Sequence, residues 1–317
     1  MILFKKLIIY QINLKMPNYG DKTYWEQRYK NSEYATFDWL ENYPTLKEII
    51  TSLNIPKESG RILNLGCGNS EFSENMYDDG FHNIKNIDIS ESVIKLMSER
   101  SKNRPEMTYE VMDVMDIKYE SNYFDLAIDK STIDALLCGD DAFINVAKMI
   151  KEVQRVLKVG GYYMIISYGA PDYRVMHLNR KFEKFKVEIL KIEKDFVEEE
   201  GYDNYHYIYL CQKLEGADEA SKQFFDETIE ELIKQQKMEE EEEEQEENDN
   251  LDNKIKVDDE EINKNDDKND DKNEKIKNDL IQNENDDKQR NIGTIVKKEI
   301  NKNDKDENII DFLSKKN

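Results

Sequence analysis

Aromatic residues other than phenylalanine are missing from the last third of the chain. Residues 215–317 contain no Trp, Tyr, Cys, His or Pro, and their only aromatic side chains are Phe224, Phe225 and Phe312. The same stretch holds 35 acidic and 18 basic residues, a net charge of −17 out of −23 for the whole chain. Such a composition cannot bury enough apolar surface to offset the entropy lost on ordering. We therefore predict one domain over residues 19–214, followed by an acidic low-complexity tail at 215–317 that is disordered apart from a candidate helix at 218–237.

Long apolar runs are also missing. No stretch approaches the roughly 20 apolar residues that a membrane span requires. The first fifteen residues have the charge and apolar content of a secretory signal, but Gln11 and Asn13 interrupt the apolar run and no small-residue cleavage site follows. We expect residues 1–18 to be a disordered extension, with Met16 as a candidate start of translation.

Cysteine and histidine are scarce, with three residues of each. Cys67, Cys138 and Cys211 are too widely spaced for a disulfide framework or a zinc signature, and the histidines have no ligand spacing. The acidic balance argues against nucleic-acid binding through a basic face. We expect a cytoplasmic monomer that holds no metal and binds neither nucleic acid nor membranes.

Between residues 19 and 214, short apolar strands alternate with helical patterns. The strands are predicted at 61–65, 84–88, 107–111, 123–129, 162–167, 185–192 and 205–212. Alternation of strands and helices predicts parallel pairing in a doubly wound α/β sheet. The last two strands have no helical pattern between them, which predicts an antiparallel hairpin. We therefore predict a Rossmann-like, mostly parallel seven-stranded sheet with an antiparallel edge strand, in which Gly160-Gly161 turns the chain into the fifth strand.

A glycine turn and two aspartates mark one end of this predicted sheet. The first strand runs into Gly66-Cys-Gly68, where the backbone can approach a ligand that a Cβ atom would block. Asp88 ends the second strand, and Asp113 follows the third. Ligands of open parallel sheets bind beyond the carboxyl ends of the strands. There Asp88 can accept hydrogen bonds from both hydroxyls of a ribose, and Asp113 can accept one from the exocyclic amine of adenine. The glycines alone also fit a tight strand-to-helix turn.

The choice of nucleoside cofactor depends on position 71. A dinucleotide fingerprint requires a third glycine there, and this chain has Glu71, whose carboxylate would repel a pyrophosphate. This disfavours NAD and FAD. S-adenosylmethionine has a ribose and an adenine but no phosphate, and its sulfonium is attracted by aromatic faces and carboxylates. The sequence therefore predicts S-adenosylmethionine as the cofactor.

Three motifs resemble those of class I, seven-β-strand S-adenosylmethionine-dependent methyltransferases. They are Leu65-Gly-Cys-Gly-Asn-Ser70, Asp129-Lys-Ser-Thr-Ile-Asp-Ala135 and Leu157-Lys-Val-Gly-Gly161. Tyr24-Trp-Glu-Gln-Arg-Tyr29 with Phe37-Asp-Trp39 further resembles the methyltransferase-like 13 group, which includes lysine methyltransferases of translation elongation factor 1-alpha. The resemblance covers roughly residues 19–213 and none of the tail.

The resemblance implies a role for each matching position. Trp25, Tyr29 and Trp39 would wall the methionine end of the cofactor, and Gly66, followed by Gly68, would lie under its ribose–methionine link. Asp88 and Ile89 would hold the ribose, Asp113 and Val114 the adenine, and Lys130 would lie at the edge of the reaction centre. Two positions depart from the family pattern: Ser131 replaces a usual glycine, and Asn64 stands where many class I enzymes have an acid.

The resemblance implies a protein-lysine N-methyltransferase that acts on elongation factor 1-alpha. Direct in-line transfer to a neutral lysine amine needs mainly positioning. Asp129, ranked first, or Asp134 is the candidate to orient that amine. Asp134 is equally compatible with a helix cap, and Lys130 with a solvated rim residue. The alternatives are a methyltransferase for small molecules or N-terminal amines, and a catalytically silent module that binds S-adenosylmethionine.

Overall fold

The computed structural model describes residues 18–31, 36–194 and 204–265. The helices are α1 (Lys22–Asn31), α2 (Tyr43–Ser52), α3 (Phe72–Asp78), α4 (Glu91–Arg100), α5 (Thr132–Leu136), α6 (Ala142–Val156), α7 (Pro171–Arg174) and α8 (Ala217–Asn265). The strands are β1 (Ile62–Leu65), β2 (Ile84–Asp88), β3 (Thr108–Val111), β4 (Phe124–Lys130), β5 (Leu157–Ser167), β6 (Phe185–Glu193) and β7 (Tyr205–Lys213). Among the described residues, no helix is both long and apolar enough to cross a membrane.

The seven strands form one sheet in the order β3-β2-β1-β4-β5-β7-β6. Strands β1 to β5 pair in parallel, whereas β7 is antiparallel to both of its neighbours, β5 and β6. The predicted Rossmann-like sheet with an antiparallel edge is thus confirmed. The carboxyl ends of the parallel strands meet at one edge, and the strand order reverses between β1 and β4, where open sheets bind ligands.

Alternating side chains along the strands build a core on each face of the sheet. In β1, Ile62 packs with the apolar residues of α2, α3 and α4, whereas its neighbour Leu63 packs with those of α6 and α8. Successive strand residues point to opposite faces, so a strand buried on both sides is mostly apolar, as β1 is apart from Asn64. Helices therefore cover both faces of the sheet and leave its carboxyl edge for the site.

The prediction that Gly160-Gly161 turns the chain into β5 is wrong. Strand β5 begins earlier, at Leu157, and the glycines lie inside it, where the register with β4 shifts between Phe124 and Leu126. Gly160 has φ +82, and a Cβ atom on Gly161 would lie 3.0 Å from the Asp125 carbonyl oxygen. The glycines permit a local bulge rather than a turn.

The folded unit extends beyond the predicted boundary at residue 214. Phe225 and Leu232 of α8 are buried in the core, and the fully buried Lys213 donates to Asp218 Oδ1 at 2.8 Å. The chain divides into two units, Met1–Glu240 and Glu241–Asn317. The tail composition cannot support an independent core, but the first turns of α8 bury their apolar residues on the domain.

Helix α8 also runs past the predicted end at 237. Residues 1–17 and 266–317, for which we predict disorder, lie outside the described residues.

Candidate active site

A cavity of about 800 Å³ lies beyond the carboxyl ends of the parallel strands. Its wall has a β3 side and a β5 side. The β3 side consists of Asp88, Ile89, Asp113 and Val114, and the β5 side consists of Ser131, Asp134, Tyr168, Tyr173 and Arg174. The predicted site residues that line the cavity are Trp25, Tyr29, Trp39, Gly66, Gly68, Asp88, Ile89, Asp113, Val114, Lys130 and Asp134. The structure thus brings together every predicted site residue except Asp129.

The glycine turn after β1 requires its glycines. Gly66 and Gly68 have φ values of +57 and +54, in the left-handed region that favours glycine. A Cβ atom on Gly66 would collide with the hydroxyl of Thr132, which donates to the Leu65 carbonyl at 2.9 Å. A Cβ atom on Gly68 would lie 2.8 Å from the Tyr29 hydroxyl oxygen. The turn is therefore held closely between α1 and the start of α5.

Asp88 joins the glycine turn to the end of β2. Its Oδ2 accepts from the Gly68 amide and its Oδ1 from the Ser90 amide, both at 2.9 Å. Burial raises the pKa of Asp88, and these backbone bonds oppose the shift. Each carboxylate oxygen has two lone pairs, so both oxygens keep acceptor capacity toward the cavity.

Asp113 is held in a similar way on the neighbouring loop. Its Oδ1 accepts from the Met115 amide at 2.8 Å, and none of the described residues donates to Oδ2. The β3 side therefore presents carboxylate acceptors and no basic group. Such a wall suits the hydroxyls and the amine of an adenosine and disfavours a phosphate.

An aromatic wall closes the cavity on the side of the N-terminal helix. Trp25 stacks on Tyr29 with ring centroids 5.9 Å apart, and Trp39 meets Trp25 edge-on at 6.1 Å. The Trp25 indole donates to the Tyr19 carbonyl at 2.6 Å. The Arg28 guanidinium lies 5.5 Å from the centroid of Trp39. These rings already attract a cation of the chain itself, so their faces also suit a sulfonium.

Glu26 holds this aromatic helix on the sheet. Its carboxylate accepts from the hydroxyls of Ser90 and Ser92 at 2.6 Å, at the start of α4. These bonds, together with the ion pair to Lys30, lower the pKa of Glu26 to about 2. Ser90 is the N-cap of α4, and its side chain accepts from the Val93 amide. A charged carboxylate at a helix N-terminus is stabilising.

Lys130 lines the cavity but is not solvated. Its ammonium donates to Asp38 Oδ1 at 2.9 Å and to the Trp39 carbonyl at 3.0 Å. Burial lowers the pKa of Lys130, and Asp38 opposes that shift. Asp38 also accepts from the Ser70 hydroxyl. Lys130 therefore fastens the aromatic segment around Trp39 to the glycine turn and to β4.

The structure does not place Asp129, the first choice to orient the amine, at the cavity. Its side chain is fully buried and accepts from the Thr132 amide at 2.7 Å and from the Tyr163 hydroxyl at 2.8 Å, as well as from the Ile133 amide. Burial raises its pKa to about 7, and repulsion from Asp134 adds to that effect. Asp129 holds the β4–α5 turn and does not face an incoming amine.

Asp134 lines the cavity, but four groups of the chain already donate to it. Oδ2 accepts from the Ser131 hydroxyl at 3.1 Å and the Tyr168 amide at 3.2 Å, and Oδ1 accepts from the Ser167 hydroxyl and from Arg174 at 2.6 Å. Helix α5 begins at Thr132, so Asp134 does not cap a helix starting at Ala135. A direct role for Asp134 in binding an amine therefore disagrees with the geometry.

The two departures from the family pattern have separate structural outcomes. Ser131 adopts φ +70, the conformation that a glycine would take without strain. The loop thus keeps the glycine geometry and gains a hydroxyl that binds Asp134. Asn64 donates to Ser73 Oγ at 2.9 Å and to Asn86 Oδ1 at 3.1 Å, within a buried polar network.

Sequence reasoning missed Asp38, Thr132, Tyr168, Tyr173 and Arg174. Asp38 bonds to Lys130, 92 positions away, and Arg174 bonds to Asp134, 40 positions away. No local pattern marks such pairs. The position of Tyr168 directly after a predicted parallel strand was an available signal, because the ends of such strands meet at the site.

The residues present fit S-adenosylmethionine. The left-handed glycine turn lets a ligand approach the backbone, and the partly unused oxygens of Asp88 and Asp113 suit hydroxyl and amine donors. Three basic side chains lie on the wall; Lys130 and Arg174 are paired with Asp38 and Asp134, and Lys22 has no ion pair among the described residues. Among the described residues, no group of three or more His, Cys, Asp or Glu side chains has the arrangement of a metal site.

Comparison with known proteins gives similar sequences and folds. The family described as "Methyltransferase domain" matches residues 56–237. The chain is 41% identical over 152 residues to the mouse (Mus musculus) "eEF1A lysine and N-terminal methyltransferase", covering 47% of this chain and 22% of that protein. It is 31% identical over 168 residues to the mouse "EEF1A lysine methyltransferase 4", covering 50% of this chain and 65% of that protein. The matches therefore span less than two thirds of either relative.

A solved structure shares the fold at low sequence identity. It is described as "Conversion of a Disulfide Bond into a Thioacetal Group during Echinomycin Biosynthesis", and it aligns with a TM-score of 0.50 and 13% identity. The alignment covers 63% of this chain and 95% of the other. At that identity the likeness concerns the fold alone.

Proposed function

The chain belongs to the methyltransferase-domain family, and we propose that it is a protein-lysine N-methyltransferase acting on translation elongation factor 1-alpha. Family membership and S-adenosylmethionine as the cofactor agree with the motifs around Gly66, Asp88 and Lys130. One observation carries the substrate: two differently named relatives, matched over about half of this chain, are both called eEF1A lysine methyltransferases. Because that substrate takes part in translation, the proposal places the protein in the cytoplasm.

The cavity supplies what this reaction needs from a protein. When bound, S-adenosylmethionine provides a methyl group already activated by its sulfonium. An acceptor lysine has an intrinsic pKa near 10.4, so keeping its amine neutral at pH 7.4 costs roughly 4 kcal/mol. An apolar, partly closed wall lowers that pKa by desolvation. Here Trp25, Trp39 and Lys130 with its paired Asp38 exclude water from one side of the cavity.

A second acceptor follows from the name of one relative. The mouse protein at 41% identity is called a lysine and N-terminal methyltransferase. An N-terminal α-amine has a pKa of about 7.7–8.0 and requires less deprotonation than a lysine. The alternatives of a small-molecule acceptor and of a silent binding module lack a comparable observation.

Transfer of a labelled methyl group tests the proposal. The full chain and Asp88→Ala are each incubated with S-adenosylmethionine labelled in its methyl group and with a eukaryotic cell lysate. We expect one strong labelled band at the size of elongation factor 1-alpha with the native chain and none with the variant. Peptide mass spectrometry of that band then distinguishes a lysine from an α-amine. Labelling of other proteins only, or no protein label despite cofactor binding, would contradict the proposed substrate.

A further inference from the structure

The β5 side of the cavity is the side left for the acceptor, if the proposed function holds. The sheet order places β2 and β3 on one flank of β1 and places β4 and β5 on the other. Asp88 and Asp113, which suit the adenosine, follow β2 and β3. Ser131, Asp134, Tyr168 and Tyr173 follow β4 and β5 and line the same cavity. The chemistry of that second group determines how an amine is received.

The carboxylate on the β5 side is already occupied by hydrogen bonds from the chain and is not free to bind an incoming amine. Of the described residues that line the cavity there, Asp134 alone carries a carboxylate. Its two oxygens accept four hydrogen bonds from the chain, one of them from Arg174 at 2.6 Å. The side chains of Asp134 and Arg174 are each only 12% exposed. This ion pair is therefore complete without a ligand.

The same ion pair fixes the backbone that carries Tyr168. The Tyr168 amide donates to Asp134, and Arg174 Nε donates to Ser167 Oγ at 2.9 Å. Ser167 Oγ in turn accepts from the Gly169 amide at 3.0 Å, and the Tyr209 hydroxyl donates to the Gly169 carbonyl at 2.6 Å. A carboxylate used in this way positions its neighbours instead of binding substrate.

Two tyrosines remain as the exposed surface of the β5 side. Tyr168 is 51% exposed and Tyr173 is 69% exposed, and both line the cavity. The Tyr168 ring packs edge-on against His206 at 5.3 Å. The Lys194 ammonium lies 5.7 Å from the Tyr168 centroid, so a lysine of the chain itself already approaches this ring. Exposed aromatic rings that line a cavity suit an apolar or cationic ligand.

We propose that Tyr168 and Tyr173 form an acceptor slot, which holds the aliphatic stem and the amine nitrogen of the substrate lysine between aromatic surfaces. The Asp134–Arg174 pair acts as a positioning element that sets Tyr168. This inference rests on the proposed function for the identity of the acceptor, but the slot itself selects any alkyl amine with an apolar stem.

Aromatic surfaces suit this reaction better than a free carboxylate does. A carboxylate beside the amine would stabilise the ammonium form and raise its pKa, against the requirement for a lone pair. Tyrosine faces attract an ammonium as it enters and also pack against a neutral amine and its methylene groups. The slot thus binds the amine without opposing its deprotonation.

Calorimetry with two cofactor analogues tests the slot without any protein substrate. In both analogues a tertiary nitrogen replaces the sulfonium of S-adenosylmethionine. One analogue carries a methyl group on that nitrogen, and the other carries a pentylaminoethyl arm that imitates the acceptor nitrogen and the lysine stem. The affinity ratio of the two analogues, measured on the full chain, isolates the contribution of the arm.

We expect the arm to increase affinity at least tenfold in the native chain. Tyr168→Leu and Tyr173→Leu should each reduce that gain about threefold or more, whereas Tyr168→Phe and Tyr173→Phe should keep it. Because both tyrosines are well exposed, the leucine variants should fold and bind the methyl analogue as the native chain does. Arg174→Gln should also lower the gain, with partial recovery in Arg174→Lys.

Two outcomes would overturn the slot: an arm without effect in the native chain, or leucine variants that keep the full gain. If Asp134→Asn then lost the gain, Asp134 would bind the amine instead. The proposed function fails separately, if the native chain does not methylate elongation factor 1-alpha. A tyrosine-dependent gain with no methylation of that factor would keep the slot and exclude the substrate. Methylation of that factor with no gain from the arm would keep the proposed substrate and exclude the slot.

Discussion

Each flank of β1 carries a pair of aspartates at or just after its strand ends, and the two pairs differ in what their oxygens bond to. On the β3 side, Asp88 accepts one backbone amide at each oxygen, Asp113 accepts one amide in all, and both keep lone pairs for a ligand. On the other flank, Asp129 at the end of β4 is buried against Tyr163, and Asp134 in α5 accepts four hydrogen bonds. The same residue type therefore keeps acceptors for a ligand on one side and braces the structure on the other. The number of hydrogen bonds that each aspartate accepts from the chain thus distinguishes the two pairs.

The largest expected effect comes from breaking the brace on the β5 side. Arg174→Met leaves Asp134 buried without its cation, and removal of one partner from a buried ion pair costs about 3–5 kcal/mol. We expect the free energy of unfolding, measured in urea, to fall by that order. The double variant Asp134→Leu with Arg174→Met should recover part of the loss. A single variant as stable as the native chain would show that the pair does not brace the wall.

Removing the carboxylate on the β3 side should act on binding rather than on the brace. Asp88→Ala loses the acceptors for two ribose hydroxyls, each hydrogen bond to a charged group contributing about 1.5–3 kcal/mol. We expect the Kd for S-adenosylmethionine to rise at least ~100-fold and methyl transfer to be abolished. Asp113→Asn, which changes one acceptor, should raise the Kd by a smaller factor. Calorimetry measures both. Equal affinities for native and Asp88→Ala chains would remove Asp88 from the cofactor site.

The buried Asp129 predicts a pH dependence of stability. Its pKa is about 7 in the folded chain, against about 3.9 when unfolded. The folded state therefore binds more protons between these values, so this residue's contribution to stability is full below about pH 4 and is lost as pH rises through 7. Between pH 5 and 7 the loss should be about 2 kcal/mol. Asp129→Asn should remove that part of the slope in urea unfolding, and an unchanged slope would contradict the buried environment of Asp129.

The smallest expected effect is that of removing the distal tail. A chain ending at Glu240 keeps Phe225, Leu232 and the Lys213–Asp218 pair, so the core that α8 covers stays intact. We expect its melting temperature and its affinity for S-adenosylmethionine to equal those of the full chain. The matched control ends at Leu214 and leaves Lys213 buried without Asp218; it should be insoluble or melt far lower. Loss of cofactor binding in the chain that ends at Glu240 would place part of the site beyond residue 240.

The sequence was sufficient for features that are local. The glycine turn at Gly66 and Gly68, the strand-end aspartates Asp88 and Asp113, and the alternation of strands and helices each depend on neighbouring residues, and the structure brings them to one cavity. The family resemblance supplied Trp25 and Trp39 in addition.

The sequence was not sufficient for features that depend on distant partners. The burial of Asp129, the ion pair of Asp134 with Arg174, and the tie between Lys130 and Asp38 join segments that only the fold brings together. Composition likewise misplaced the domain boundary. It describes what residues 215–317 can do alone, whereas Phe225 is buried on a core supplied by the preceding domain.

Kinetics with purified elongation factor 1-alpha test the division of the cavity most directly. The native chain, Asp88→Asn and Tyr173→Leu are compared with each substrate varied in turn, and cofactor affinity is measured separately by calorimetry. Our account predicts lysine methylation by the native chain, a raised Kd for S-adenosylmethionine in Asp88→Asn, and a raised KM for elongation factor 1-alpha with an unchanged cofactor Kd in Tyr173→Leu. A Tyr173→Leu chain that loses cofactor affinity but keeps its KM for the protein would contradict the assignment of the two sides.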